Sequence, residues 1–340
     1  PKSKPDTFSW DEAMRLPDKD LWLEAADIEI RALESHSAWR EDLKSNATNR
    51  IVPSQWVFTY KRNPDGTIKK RKARIVLCGD LQDYEGETYS PVAAWSTVRA
   101  FLVTSAVLDR ATCTIDFSNA FIQSPLPSDQ AVWMHTPRGY ATRGGFAYCL
   151  NLLKSLYGHK ISSLLWFKHC GKHFRKLGLI QSEYDPCLWY GRDIMLVQYV
   201  DDCGISAPTQ ADIDKFVLDL RNEGLLLTKE DSFSEFLGIK FEVKDGVHIM
   251  TQKGLIQKIL DTANMNDCNP NSVPATLTAL GADKEGKPMT DTWNYRAIVG
   301  MLLYLSNNTR GDIAFAVSQV ARFSNEPKQS HATAIKTILR

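Results

Sequence analysis

Two groups of aspartates have the residue type and the setting to carry chemistry. Asp201 and Asp202 end the tetrapeptide Tyr199–Asp202, which lies between two apolar runs that read as strands, so the pair is expected where a hairpin turns. Asp116 follows another β-prone run, 85 residues before Asp201. Neighbouring carboxylates repel one another unless a cation lies between them. Aspartate is also an ordinary turn residue, so a plain turn is the better explanation of the dipeptide alone.

If the carboxylates of Asp116, Asp201 and Asp202 converge, they could hold two Mg²⁺ ions, with Mn²⁺ as an alternative. A two-metal site activates a hydroxyl nucleophile and stabilises the leaving oxygen of an in-line phosphoryl displacement. Polymerases and nucleases both use this chemistry. The spacing of the three residues does not choose between them.

A basic run provides a second candidate site. Lys69–Arg74 places five cations in six residues, which can neutralise the triphosphate of a nucleotide or the backbone of a template strand. A solvated hairpin face or a localisation signal would have the same composition. His169 and His173 could bind a metal from one helix face, but no glutamate stands between them as in H-E-x-x-H, so solvated helix residues are expected there.

Composition limits the class of protein. The chain has 340 residues, 43% hydrophobic and 24% charged, which is ordinary for globular domains, and two or three subdomains are expected. A net charge of only +1 argues against a packaging protein and requires local basic patches for any nucleic-acid partner. The seven cysteines show no C-x-x-C pair, which favours reduced intracellular thiols. No apolar run approaches the roughly 20 residues of a membrane helix.

The elements that must position these residues follow from local patterns. A capping box opens a short helix at Ser9, and apolar spacing predicts a longer helix from about Asp20 to Trp39. A turn signal at residues 63–66 joins two strands that carry the basic run. Further predicted elements are a strand at 132–134, helices at 96–108, 164–177 and 209–224, a hairpin at 236–250, and C-terminal helices from 252, 295 and 313.

These stretches resemble, in order, the motifs of the reverse transcriptase of copia-type LTR retrotransposon Pol polyproteins. Asp116 and Asp201–Asp202 match its palm motifs A and C. The matching pieces are Trp56–Phe58 with Lys72–Arg74, Tyr89–Val92, Ile115–Phe117 with Ala120–Phe121, Leu156–Gly158, Tyr199–Asp202, Phe236–Gly238, Tyr295–Arg296 with Val299–Gly300, and Thr309–Arg310 with Asp312–Ile313. The chain departs from the family after Gly158, where Gln-Ala-Pro is missing, and at Gly311, where the family has proline.

The resemblance implies an α+β fold of the right-hand polymerase type, with fingers, a palm of antiparallel sheet and helices, and a helical thumb. We expect an N-terminal helical extension over residues 1–50, then a fingers hairpin and first palm helix over 51–110. The palm, with an interleaved fingers segment and the primer grip, is expected over 111–250. The start of the thumb or connection would occupy 251–340, and RNase H is expected to be absent.

The resemblance also assigns roles. Asp116, Asp201 and Asp202 would be the catalytic and metal-binding carboxylates, and the carbonyl of Phe117 would complete one metal shell. Phe121 would be a steric gate against ribonucleotides; the alternative is that it fills core, as most phenylalanines do. The nucleotide-binding set would be Lys61, Lys72, Arg74, Phe117, Phe121, Tyr157 and Gly158.

The implied function is RNA-directed DNA polymerase, which copies retrotransposon RNA into cDNA. A domesticated element that binds nucleic acid without catalysis and another two-metal enzyme such as a nuclease are the alternatives. The implied partners are an RNA template, a DNA primer, deoxynucleoside triphosphates, and the RNase H and integrase regions of the same polyprotein. An intracellular location follows, in cytoplasmic virus-like particles and the nucleus, without a membrane partner.

Overall fold

The computed structural model describes residues 6–63, 67–127, 129–142, 144–275 and 278–340 and divides the chain into two compact units, Pro1–Ser232 and Phe233–Arg340. The strands of the first unit are β1 (Thr7–Phe8), β2 (Trp39–Leu43), β3 (Ile51–Val52), β4 (Ser54–Arg62), β5 (Ile68–Leu77), β6 (Ala111–Phe117), β7 (Val132–Met134), β8 (Tyr148–Leu152), β9 (Ile180–Gln181), β10 (Leu188–Gly191), β11 (Ile194–Tyr199), β12 (Asp202–Ala207) and β13 (Leu227–Lys229). Its helices are α1 (Trp10–Ala13), α2 (Lys19–Ser35), α3 (Trp95–Val107), α4 (Ala120–Gln123), α5 (Ser162–Lys176) and α6 (Gln210–Asn222).

The centre of the first unit is an antiparallel sheet of six strands in the order β13-β6-β12-β11-β10-β9. Alternate residues of its strands, such as Ile115 and Ile205, are buried with α5 and α6 in one hydrophobic core. Ser206 points to the opposite face, where its hydroxyl oxygen accepts a hydrogen bond of 2.8 Å from Ser105 of α3. The sheet is therefore covered by helices on both faces.

The basic run lies on a separate three-stranded sheet of order β1-β4-β5. β4 and β5 form the predicted hairpin, although residues 64–66 of its turn lie outside the described residues. Helix α2 packs against β5 and buries Trp22 against the ring of Phe58 at a centroid distance of 5.4 Å. Asp18, just before α2, fixes this arrangement by accepting hydrogen bonds from Tyr60 and Arg71, at 2.9 and 2.6 Å.

The N-terminal 50 residues were predicted to be helical. This prediction is wrong about the end of the long helix and about two strands. Helix α2 ends at Ser35 and not near Trp39, because the chain turns through Ser37, whose φ is +52°. Trp39 then begins β2, which joins a four-stranded sheet of order β2-β8-β7-β3. The two-residue strand β1 pairs with β4 as well. Strand pairing with later segments thus overrides the local helical pattern.

The second unit contains the three-stranded sheet β14-β15-β16 and a helical core. Its elements are β14 (Glu235–Phe236), β15 (Ile239–Lys244), β16 (Val247–Thr251), α7 (Lys253–Ala263), α8 (Tyr295–Asn308), α9 (Ala314–Ala321) and α10 (Gln329–Leu339). The predicted hairpin and the three predicted helix starts are confirmed, whereas α10 was not predicted. The unit begins at Phe233, so the hairpin belongs with the C-terminal helices in one compact unit.

Within the described ranges, none of the helices has the length and apolar character that crossing a membrane requires. All seven cysteines are free thiols. The capping boxes at Ser9 and Thr209 are confirmed.

The burial of His159 can be tested through the pH dependence of the free energy of unfolding. It is 4% exposed, and burial lowers its pKa to about 4 from 6.5. The folded chain therefore holds the ring neutral, while the unfolded chain binds a proton below pH 6.5. The free energy of unfolding should fall as the pH drops from 6.5 towards 4, by up to about 3 kcal/mol from this residue.

We expect His159→Gln to reduce that pH dependence, measured as urea unfolding at pH 7.5 and pH 5. The exposed His248→Gln is the matched control and should leave it unchanged. A wild-type slope in His159→Gln would contradict a buried neutral imidazole.

Candidate active site

The two aspartates of the tetrapeptide lie at a two-residue hairpin turn, as predicted. Tyr199 pairs with Asp202 across the turn, and Val200 has φ of +56°, a strained value for a β-branched residue. A positive φ at the first turn residue is what tight hairpins require. The Trp166 indole N–H donates to the Val200 carbonyl at 2.7 Å and so holds the turn in place.

Strand pairing brings the third carboxylate to the same place. Asp116, near the end of β6, lies directly opposite Asp202 in the register of β6 and β12. The backbone N–H of Phe117 donates to the Asp201 carbonyl at 2.9 Å, which locks the turn to the strand end. On its other side Asp116 pairs with Thr228 of β13. The backbone therefore brings to one end of the sheet the three aspartates whose convergence the sequence left open.

The electrostatics of the three groups reflect this crowding. Burial, followed by the charges of Asp201 and Asp116, raises the pKa of Asp202 to about 6. Burial and the Asp201 charge also raise the pKa of Asp116, whereas the Lys72 ammonium lowers it. Like charges held close together in this way attract cations. Lys72 is thus near enough to the carboxylates to act on one of them.

A chain of ring contacts connects the basic hairpin to the segment after Asp116. The Arg74 guanidinium lies over the Tyr157 ring, 4.8 Å from its centroid, and Tyr157 makes an edge contact with Phe121 at 5.0 Å. The Nε atom of Arg74 is buried and has no hydrogen-bond partner. Phe121 is half-buried in α4. Three residues of the predicted nucleotide-binding set are therefore in direct contact.

Gly158 lets this turn approach the basic strand. Its φ is +82°, and a Cβ there would lie 2.1 Å from the Leu77 carbonyl oxygen. The Leu77 N–H donates to the Tyr157 carbonyl at 2.8 Å. A side chain at Gly158 would push Tyr157 away from β5.

The remaining predicted residues are placed differently. The Phe117 side chain is 1% exposed and packs on Trp166 at 5.0 Å, so only its backbone can serve the site. Lys61 is exposed on the outer half of the hairpin, opposite Lys70. Arg71 is held by Asp18 and by the faces of two rings, so it belongs to the packing of α2.

The donor set suits hard divalent cations, because carboxylate oxygens are their preferred ligands. Burial and mutual repulsion raise the pKa values of Asp116 and Asp202, and a bound cation would relieve the repulsion. In the part of the chain that the structure describes, no group of three or more His, Cys, Asp or Glu is arranged to hold a metal ion as it stands. Binding would therefore need reorientation of the aspartate side chains.

Two supporting residues were missed from the sequence. Trp166 anchors the turn, but its position on a buried helix face indicates only core. The Gln123 amide bridges two backbones: its nitrogen donates to the carbonyls of Ser118 and Leu226, and its oxygen accepts from the Leu226 N–H. No local pattern predicts such a bridge, because Leu226 is 103 residues from Gln123 in the sequence.

His169 and His173 are not solvated, contrary to the prediction. Both are half-buried, with ring centroids 4.7 Å apart. Burial and the neighbouring His173 lower the pKa of His169 to about 4. His173 lies 3.5 Å from a carboxylate oxygen of Glu223. Packing of α5 against the sheet accounts for the burial.

Residues 39–277 match the sequence profile of the reverse transcriptase (RNA-dependent DNA polymerase) family. The chain belongs to this family. The matched range includes Asp116, Asp201, Asp202 and both strands of the basic hairpin. The prediction of an RNA-directed DNA polymerase is confirmed at the level of the family.

Known proteins with similar sequences support the same family. The chain is 31% identical over 332 residues to the retrovirus-related Pol polyprotein from transposon RE1 of Arabidopsis thaliana, covering 94% of this chain and 22% of that protein. It is 28% identical over 357 residues to the Pol polyprotein from transposon TNT 1-94 of Nicotiana tabacum, covering 97% and 26%. These matches confirm the resemblance to copia-type Pol. The chain thus spans about a quarter of these relatives.

The fold is similar to that of a foamy viral protease-reverse transcriptase (dRH) solved in complex with double-stranded DNA. The TM-score is 0.52 at 16% identity, over 93% of this chain and 47% of that one. The predicted α+β polymerase fold of the reverse transcriptase type is confirmed by this similarity.

Proposed function

We propose that this chain extends a DNA primer on an RNA template, with Asp116, Asp201 and Asp202 as the catalytic carboxylates. The observation that carries the proposal is the cross-strand placement of Asp116 opposite Asp202, with Asp201 tied to Phe117 by a backbone hydrogen bond. This places the negative charge at one end of a rigid sheet. Rigid support matters because polymerisation depends mainly on positioning and on charge stabilisation.

Asp116 and Asp201 would hold Mg²⁺, or Mn²⁺ in its place, with Asp202 contributing less directly and the Phe117 carbonyl completing one shell. When bound, two such ions activate the primer 3′-hydroxyl and stabilise the leaving oxygen. The protein itself must hold the carboxylates in position. The backbone bonds at the turn keep the carboxylates together, and Trp166 keeps the turn from opening.

The basic hairpin would hold the triphosphate. Lys72 lies close enough to the carboxylates to lower the pKa of Asp116, and Arg74 presents a buried Nε without a partner. A triphosphate supplies the acceptor oxygens that such donors lack. Lys61, farther out on the hairpin, would contact the template backbone or the outer phosphate.

Phe121 would lie beneath the sugar of the incoming nucleotide. Its ring is braced by Tyr157, which is itself held under Arg74. A ring held in place by its neighbours can exclude a 2′-hydroxyl by steric contact, whereas a mobile ring would move aside. This arrangement favours the gate over the alternative that Phe121 only fills core.

The partners and location follow from the same proposal. The chain would act as the polymerase part of a Pol polyprotein, next to RNase H and integrase regions, inside the cell in cytoplasmic particles and the nucleus. Residues 51–110 would form the fingers hairpin and first palm helix, 111–250 the palm with the primer grip, and 251–340 the thumb, with 1–50 as an extension on the fingers hairpin. The primer-grip hairpin shares one compact unit with the proposed thumb helices.

The carboxylates are tested by primer extension on an RNA template. Asp116→Asn and Asp201→Asn should each lower kcat by about 10³ or more, because each removes a charge that acts on the reacting phosphate. Asp193→Asn, on the exposed turn at the other end of β11, is the matched control and should extend like wild type. Template and primer binding without extension by wild type would point to a domesticated binding protein, and loss of the template to a nuclease.

The gate is tested by sugar selectivity. Phe121→Val should raise the ratio of ribonucleotide to deoxyribonucleotide incorporation by about tenfold, because the contact with the 2′-hydroxyl is lost. Phe121→Tyr keeps the bulk and should keep the selectivity. Phe174→Val, in the core, should lower the melting temperature without changing the ratio. If Phe121→Val behaved like Phe174→Val, the residue would be core and not a gate.

A further inference from the structure

Helix α2 carries a carboxylate on the face that it buries. Trp22, Ala26 and Leu33 are 0, 3 and 4% exposed and mark that face. Glu29 falls in the same stripe, at spacings of four, three and four residues. It is half-buried. A charge placed among core positions destabilises a helix packing unless it finds partners there.

The packing of α2 on β5 shows which partners are within reach. Asp18 is bound to Arg71, which fixes the start of the helix beside that point of the strand. Glu29 lies eleven residues later, about 16 Å along the helix. Four residues beyond Arg71, about 13 Å along the strand, is Ile75. Glu29 therefore lies beside Arg74 and Ile75 of β5. Strand β5 is an edge strand of the three-stranded sheet.

The charges around Glu29 agree with this placement. Burial raises the pKa of Glu29, and the cations of Arg74, Lys72 and Lys70, together with the Ile75 backbone N–H, lower it. The pKa of Lys72 agrees with this placement: burial, Arg74, Lys61 and Lys70 lower it, and the charge of Glu29 raises it. In this crowded cluster Glu29 is the carboxylate that opposes the mutual repulsion of the cations.

We propose that Glu29 is a positioning residue that holds Lys72 and Arg74 in the arrangement that binds the triphosphate of the incoming nucleotide. It would not touch the nucleotide itself. Its carboxylate would offset the repulsion between the two cations, so that both stay directed towards the site between the basic hairpin and Asp116. This inference deepens the proposed function, because it rests on the assignment of these cations to the triphosphate.

The direction in which Glu29→Gln changes the affinity for an anion distinguishes a positioning role from simple charge attraction. Removing a negative charge from beside two cations makes the local potential more positive, so Coulomb attraction alone predicts tighter binding of an anion. Loss of positioning predicts weaker binding. Glu29→Gln thus gives opposite results under the two explanations.

The test is calorimetric titration of the full chain with inorganic tripolyphosphate at low salt. Glu29→Gln should bind it about fivefold or more weakly than wild type, the size expected when the repulsion between two neighbouring cations is no longer offset. Glu24→Gln, which removes an exposed charge from the same helix, should bind like wild type. Lys72→Ala should bind at least as weakly as Glu29→Gln. In primer extension, Glu29→Gln should raise the KM for nucleotide by a similar factor and leave kcat close to wild type.

Leu33→Ala controls for stability, since it weakens the packing of α2 without removing a charge. It should lower the melting temperature at least as much as Glu29→Gln and keep wild-type binding. Equal or tighter binding by Glu29→Gln, equal weakening by Leu33→Ala, or no binding by wild type would each overturn the role of Glu29. Because the titration needs no catalysis, a wild-type chain that binds tripolyphosphate and extends no primer would reject the polymerase proposal and leave this inference standing.

Discussion

The repulsion between three carboxylates is the constraint on which the site depends. Asp116, Asp201 and Asp202 are held together although their charges oppose it, and burial together with this repulsion raises the pKa values of Asp116 and Asp202. The backbone supplies the opposing force, through the antiparallel pairing of β6 with β12 and the hydrogen bond from Phe117 to Asp201. A covered six-stranded sheet is stiff enough to keep this arrangement, which a loop is not.

The basic hairpin faces the same constraint, because the fold holds several cations close together although they repel one another. Burial and the neighbouring cations lower the pKa of Lys72, so the cations of the basic hairpin repel one another. Helix α2 carries two carboxylates near them: Asp18 holds Arg71 in the packing, and the charge of Glu29 acts on Lys72. The extension before the hairpin therefore packs against the strand that carries the proposed nucleotide-binding cations.

Local pattern predicted the parts of this structure whose partners are near in sequence. Two apolar runs located the hairpin around Asp201, and capping boxes located helix starts at Ser9 and Thr209, because both signals are contained in a few residues. The sequence did not reveal β13 or the Trp166 anchor, whose partners are distant, or the Gln123 bridge to the distant Leu226. Glu29 was overlooked for the same reason: its burial has meaning only beside β5.

The most direct measurement of the central claim is the number of Mn²⁺ ions bound by the chain with a chain-terminated primer, an RNA template and the next nucleotide, followed by the loss of the free-ion paramagnetic resonance signal. The account predicts about two tightly bound ions for wild type, and fewer for Asp116→Asn and Asp201→Asn, because those carboxylates share the ions. Asp193→Asn should match wild type. Unchanged Mn²⁺ binding in both Asp116→Asn and Asp201→Asn would contradict the claim that the three carboxylates form one metal centre.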